Sequence, residues 1–338
     1  MKNILVTGGL GFIGSETVIC LIESGYEPIV VDNLYNAKLA VLDRIETITG
    51  KRPKFYQVDV TKENEMENVF KENEIDAVIH FAGYKAVGES VSKPLEYYEN
   101  NLETLIVVAK LMRKYGVKNI IFSSSATVYG IPTRVPLYES DPVAEATNPY
   151  GETKVMIERI LKDVQIADPS LNVGILRYFN PIGGHPSGLL GEDPNGIPNN
   201  LLPYVSQVAI GKLDHLRVFG NDYPTVDGTG VRDYIHVVDL ADGHVAALKK
   251  LEENPGYVVY NLGTGKGTSV LELVKAFEEA NGVKIPYEIC ARRPGDVAEN
   301  FADCEKASKE LHWKAKYTIL DACRDAYNFQ KKNPDGIK

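Results

Sequence analysis

Short apolar runs alternate with amphipathic stretches through the first half of the chain. Buried strands are expected over 3–7, 28–31, 55–58, 76–80, 118–123 and 173–178, each a short β-rich run. Between them, helical spacing marks stretches following residue 14, from about Thr61, over 96–115 and over 149–167. Asn100 and Asn101 are unusual polar residues inside the third of these helices. Strand–helix alternation of this kind predicts an α/β fold with a Rossmann-type doubly wound parallel sheet. After Tyr178 the alternation weakens. Residues 180–200 are rich in Gly, Pro and Asn and read as a large ordered loop. Beyond it, helices near 201–210, 237–251, 270–280 and 320–330 alternate with short strands, predicting a smaller mixed α/β lobe. The expected division is residues 1–180 and 181–338, with elements near 232–265 possible additions to the first domain.

Composition narrows the classes of partner. A formal net charge of -9 argues against nucleic acid or an anionic membrane, and no apolar run approaches the roughly 18 residues of a membrane span. Four widely spaced cysteines and six histidines show no metal-ligand spacing, so no metal is expected and a reducing cytoplasm fits.

Candidate chemistry begins at the first strand–helix junction. Gly8, Gly11 and Gly14 form Gly-x-x-Gly-x-x-Gly between a strand and a helix. Such a turn lets backbone approach a pyrophosphate, and the helix N-terminus offers it N–H groups. The second strand ends in Asp32, 18 residues past Gly14, close to the spacing of the carboxylate that takes the adenosine ribose hydroxyls. A carboxylate there repels a 2′-phosphate, and the nearest following cation is Lys38, so NAD is favoured over NADP. Asp59 either meets an adenine edge or caps the next helix, with Thr61 the safer cap. His80 reads as a core histidine. The run Ser123-Ser124-Ser125 either solvates a strand end or meets a ligand. Residues 263–269 lack the order of a phosphate loop and read as a strand-to-helix turn capped by Thr268 or Ser269.

Asn148-Pro149-Tyr150-Gly151-Glu152-Thr153-Lys154 opens a helix, with Asn148 as N-cap and Pro149 in the first turn. Tyr150 and Lys154 then share one face. A phenol with a pKa of about 10 must fall by roughly 3 units, about 4 kcal/mol, to act as a base near pH 7. An adjacent ammonium and the helix dipole favour the phenolate, yet a second cation is wanted.

These motifs together resemble the extended short-chain dehydrogenase/reductases, and within them the branch that epimerises UDP-hexoses at carbon 4. The likeness spans nearly the whole chain. It includes His80-Phe81-Ala82-Gly83, Lys85-Ala86-Val87-Gly88-Glu89-Ser90, Arg177-Tyr178-Phe179-Asn180-Pro181, Gly191-Glu192-Asp193-Pro194 and Gly228-Thr229-Gly230-Val231-Arg232-Asp233. The resemblance implies interconversion of UDP-glucose and UDP-galactose through transient oxidation at carbon 4. Tyr150 would be the base, Ser125 a contact to the 4-oxygen, and Lys154 a partner of the nicotinamide ribose. The nicotinium of a tightly held NAD would supply the second cation. It further implies cofactor contacts from Phe12, Ile13, Asn33, Asn36, Val60, Phe81, Ala82, Gly83, Lys85, Asn100, Ser123, Tyr178 and Phe179, beside the glycines, Asp32 and Asp59. For the UDP-sugar it implies Lys85, Asn180, Asn200, Leu201, Phe219, Arg232, Arg293 and Asp296. A homodimer through the long helices is also implied.

Two positions discriminate within the family. Related dehydratases carry Asp-Glu where this chain has Ala126 and Thr127, which argues against dehydration. Asn300 stands where enzymes restricted to the unmodified hexoses carry tyrosine, so a pocket that also admits the N-acetylated UDP-sugars is expected. Another nucleotide-sugar epimerase or decarboxylase of this fold, or a non-catalytic NAD-sensing module, are the alternatives.

Overall fold

The computed structural model describes every residue except Ala144 and Pro294. Its centre is a seven-stranded parallel sheet. Six strands come from the first half: β1 (Asn3–Thr7), β2 (Glu27–Asp32), β3 (Lys54–Gln57), β4 (Ala77–His80), β5 (Asn119–Ser125) and β6 (Asn172–Tyr178). The spatial order is β3-β2-β1-β4-β5-β6, and the strand Tyr257–Leu262 pairs parallel with β6 at the far edge. The order reverses at β1, so ligands are expected above the carboxyl ends of β1 and its neighbours.

Alternate residues of each strand enter opposite cores. Ile4 and Val6 pack with the helices α1 (Phe12–Glu23) and Val237–Leu251, while Leu5 joins the core under Glu63–Glu72, Pro94–Tyr115 and Pro149–Ala167. A third cluster fills the remaining lobe, between the helices Leu201–Ala209, Val270–Asn281 and Ile319–Lys332 and the parallel strands Leu216–Phe219 and Tyr287–Cys290.

Several expectations are corrected. The helix expected from Thr61 begins at Glu63, and its N-cap is Lys62 with no side-chain hydrogen bond. Thr61 is not a cap because Asp59 Oδ1 already accepts both its N–H and its hydroxyl, at 3.0 and 2.8 Å. Helices Val41–Thr49 and Val87–Ser92 were not anticipated. The helix Val237–Leu251, one of the elements near 232–265 read as possible additions to the first domain, packs against α1 on the face of the main sheet. Ser269 caps the helix Val270–Asn281 in a capping box with Glu272, as the turn reading required.

Candidate active site

The helix Pro149–Ala167 starts where its local chemistry directs. Asn148 Oδ1 accepts the Gly151 N–H at 2.9 Å, and Pro149 occupies the first turn. Gly151 is required there, since a Cβ would stand 2.9 Å from Ala146 Cβ. One turn later Lys154 is buried, and its ammonium donates to the Ser123 carbonyl at 2.7 Å. It lies 5.6 Å from the Tyr150 ring centroid and 4.8 Å from that of Phe122. Burial dominates both groups. The Tyr150 phenol is pushed up to about 12, with the Ser125 hydroxyl opposing the rise, and the Lys154 ammonium falls to about 7. Lys154 and the helix alone therefore do not bring the phenol toward neutrality, in keeping with the expected need for a second cation. A low-dielectric site disfavours both charged forms, and a lysine near half-charged at pH 7 supplies too little field.

Behind this pair lies a buried network that sequence reading missed. Glu158, one turn beyond Lys154, accepts from Arg177 Nε and Nη2 at 3.0 and 2.7 Å and from Ser124 Oγ at 2.5 Å. Arg177 Nη1 also donates to the Tyr129 hydroxyl, which donates to Asn261. The register that sets Ser124 beside Arg177 on adjacent strands assembles it. The spacing of Lys154 and Glu158 was the available signal.

The glycine turn forms a cradle above β1. Gly8 has φ +68°, and a Cβ there would lie 2.9 Å from Ala82 N. A Cβ on Gly14 would lie 2.4 Å from Gly8 O, so that glycine closes the turn. Gly11 is different. It is the N-cap of α1 without a side-chain bond, and a Cβ there would meet only Gly8 O, at 3.4 Å. Its outer face is open and the first N–H groups of α1 lack a side-chain cap, with Phe12 and Ile13 in that first turn, which fits a pyrophosphate. Asp32 accepts Leu10 N and Leu34 N at 3.1 and 2.9 Å; burial pushes its carboxyl up against the pull of these donors. Lys38 pairs with Asp193 at 2.6 Å and is not directed to a ribose phosphate. Asn33 and Asn36 are exposed just beyond Asp32, and Val60 is buried after Asp59.

Across the switch point, Asn101 holds the loop after β4: it accepts Tyr84 N at 2.7 Å and donates to Thr153 Oγ1 at 3.1 Å. Asn100 donates to Asn101 Oδ1 at 3.0 Å. His80 is the core histidine expected, bonded through Nδ1 to Thr7 at 2.8 Å and driven down to about 3 by burial and then by Lys154. Phe81 packs on His244, which also takes the Tyr178 hydroxyl; the Ala82 backbone lies against Gly8, Gly83 faces Asn101, and Phe179 packs with Ala126, Val128 and Tyr129.

In the second lobe, paired short strands set Arg232 beside Asn300. Arg232 Nη1 donates to the Val231 and Val297 carbonyls, both at 2.9 Å, and Nη2 stands 3.7 Å from Asp296. Arg293 stacks 4.0 Å over Phe219. Asn300 Oδ1 is buried with no hydrogen-bond partner among the described residues. Lys85 and Asn200 both reach Glu192 Oε1, at 3.2 and 2.6 Å, while Leu201 opens a helix whose N-cap, Asn200, makes no capping bond. Asn180 is exposed at the start of a short strand. Asp233, buried beside Arg232, fills the 263–265 turn with a carboxylate accepting Thr264 N, Gly265 N and Ala302 N.

Comparison with known proteins shows the family and the overall fold. Residues 4–263 match the model of the NAD dependent epimerase/dehydratase family. A UDP-glucose 4-epimerase of Bacillus subtilis is 58% identical over 335 residues, covering 99% of this chain and 98% of that one. The crystal structure of UDP-glucose 4-epimerase from Bifidobacterium longum in complex with NAD+ and UDP superposes with TM-score 0.96 at 58% identity, covering 99% of this chain and all of that one. The UDP-Glc/GlcNAc 4-epimerase of Campylobacter jejuni is similar at TM-score 0.85 and 35% identity, covering 98% of this chain and all of that one.

Proposed function

The chain belongs to the NAD dependent epimerase/dehydratase family, and on that premise we propose that it interconverts UDP-glucose and UDP-galactose at carbon 4 with NAD as its cofactor. When bound, NAD would supply reversible hydride acceptance at carbon 4. The observation that carries the reading is the junction of Tyr150, Lys154 and Ser125 at the carboxyl end of β5, with Ala126 and Thr127 where a dehydratase needs acids.

The chain's own groups divide the work. Tyr150 takes the proton of the 4-hydroxyl, and Ser125 orients that oxygen. Lys154, fixed on the Ser123 carbonyl, presents positive charge to Tyr150 and to the nicotinamide ribose. Because the Tyr150 phenol lies near 12 in the protein alone, the cofactor's positive charge is needed to make it a base at neutral pH. Gly8, Gly11, Gly14 and Asp32 hold the dinucleotide, with Asn33, Asn36, Asp59, Phe81, Lys85, Asn100 and Tyr178 around it. Residues 181–338, apart from the helix and strand that join the main sheet, form the UDP-sugar lobe. There Arg232 and Arg293 face the pyrophosphate, supported by Asn180, Asn200, Leu201, Phe219 and Asp296.

Asn300 widens the sugar pocket enough for an N-acetyl group, and its unpartnered amide oxygen is an acceptor for the acetamido N–H. The helices Pro94–Tyr115 and Pro149–Ala167 present Leu95 and Met156 outward, 77% and 37% exposed, as part of a homodimer contact. The free cysteines suit the cytoplasm, and among the described residues no helix is long and apolar enough to cross a membrane. Product analysis with UDP-galactose, UDP-glucose and the two N-acetylated UDP-sugars tests the assignment. Tyr150→Phe should lose turnover while retaining NAD; full activity in that variant refutes the base. Brisk UDP-galactose turnover beside none with UDP-N-acetylgalactosamine refutes the wide pocket.

A further inference from the structure

The segment Glu192–Asn195 contacts both loops that flank the glycine turn. At one end Glu192 accepts from Lys85, in the loop after β4, at 3.2 Å. In the middle Asp193 pairs with Lys38, beyond the end of β2, at 2.6 Å. At the other end Asn195 reaches Asn36 at 3.5 Å. In the sheet, β1 lies between β4 and β2. The segment is thus tied to the loops that follow β4 and β2, the two neighbours of β1 and its glycine turn.

The segment is fastened from outside. Asp193 Oδ2, the oxygen that pairs with Lys38, also accepts the Ile337 N–H at 2.8 Å. Gly336 allows this close approach: its φ is +83°, and a Cβ there would lie 2.6 Å from Asp193 Oδ1 and 2.8 Å from Lys38 Nζ. Asp193 is thus the meeting point of three separate segments, at 32–38, 192–195 and 336–337. Ile337 is itself buried in the core that holds Leu190, so Asp193 also anchors the C-terminal tail.

We propose that Glu192–Asn195 is a strap over the dinucleotide cleft, latched by Lys38, Asp193 and Ile337, and that its opening governs exchange of NAD. The proposal rests on the assignment of NAD to that cleft. It gives the retention of the cofactor a structural cause separate from the groups that bind it. A closed strap encloses the dinucleotide without adding to the chemistry at Tyr150.

The test follows NAD release from the NAD-loaded full chain after rapid transfer into NAD-free buffer, with an enzymatic assay trapping free NAD. Lys38→Ala and Asp193→Asn should each release NAD about tenfold faster, the scale of one charge-assisted contact. Turnover at saturating added NAD should stay within about twofold of the parent. Gly336→Ala, which alters no residue assigned to NAD, should also speed release, because its Cβ displaces Asp193 from Lys38. The exchange Lys38→Asp with Asp193→Lys should release NAD more slowly than either single change of charge. Unchanged release in Lys38→Ala, Asp193→Asn and Gly336→Ala, with the far-ultraviolet spectrum and melting temperature of the parent, overturns the strap. A parent chain that takes up no NAD overturns the cofactor assignment instead.

Discussion

Lys154 holds its ammonium on the Ser123 carbonyl at 2.7 Å, leaving it 5.6 Å from the Tyr150 ring centroid. The lysine is thus positioned by β5, and its effect on the phenol is one of field. Lys154→Met removes a positive charge beside a base that must ionise, which raises the Tyr150 pKa. The acid limb of the pH profile of kcat/KM should therefore move to higher pH, by about one to two units. Superimposable limbs in the two proteins would show that Lys154 does not tune Tyr150.

The pair of Glu158 and Arg177 sits directly beneath that site, with both side chains buried. Glu158→Ala leaves the guanidinium buried without its carboxylate, and a loss of ~3–5 kcal/mol is expected from urea denaturation. Replacing both, with Glu158→Leu and Arg177→Met, should recover most of the loss, because two well-packed apolar groups carry no desolvation penalty. Recovery absent in the double variant would assign the destabilisation to lost packing.

Glu16 offers a separate check on buried charge. It lies inside α1, 1% exposed, and neither carboxyl oxygen has a hydrogen-bond partner among the described residues. Burial, then Glu23 and Asp325, push its carboxyl up from 4.5 to about 8. Between those values the native state holds a proton that the unfolded state has released, so its stability falls as pH rises through about 8. Glu16→Gln cannot ionise. Its melting temperature should show little advantage near pH 4.5, a growing one up to pH 8, and a constant one above. A difference independent of pH would contradict a protonated native carboxyl.

Local chemistry explains which parts of the site were legible in the sequence. Asn148, Pro149, Tyr150 and Lys154 act within two helical turns, so their spacing alone specified cap, first turn and shared face. The glycine turn and Asp32 were legible for a similar reason, each being tied to one strand end. The pairing of Glu158 with Arg177 depends on the register of β5 and β6, and the meeting of Lys38, Asp193 and Ile337 joins segments far apart in sequence. The need for a second cation beside Tyr150 was legible from the ordinary phenol pKa, whereas the burial that opposes both charges was not. Thr61 was misread because its hydroxyl had a nearer partner in Asp59.

Gly11 and Gly14 separate what the turn does for the fold from what it does for the cofactor. A methyl on Gly14 would meet Gly8 O at 2.4 Å and Gly9 Cα at 2.8 Å, both backbone atoms that cannot yield without opening the turn. Gly14→Ala should lose ~1–3 kcal/mol or more in chemical denaturation and fail to hold NAD. A methyl on Gly11 meets only Gly8 O, at 3.4 Å, and the residue has φ −69°, which any L-residue adopts. Gly11→Ala should therefore fold with the parent's stability, yet its methyl projects from the N-terminus of α1 into the space assigned to the pyrophosphate. NAD affinity, measured by fluorescence titration, should fall by about tenfold or more. Parental stability with parental NAD affinity in Gly11→Ala would move the pyrophosphate away from this helix end.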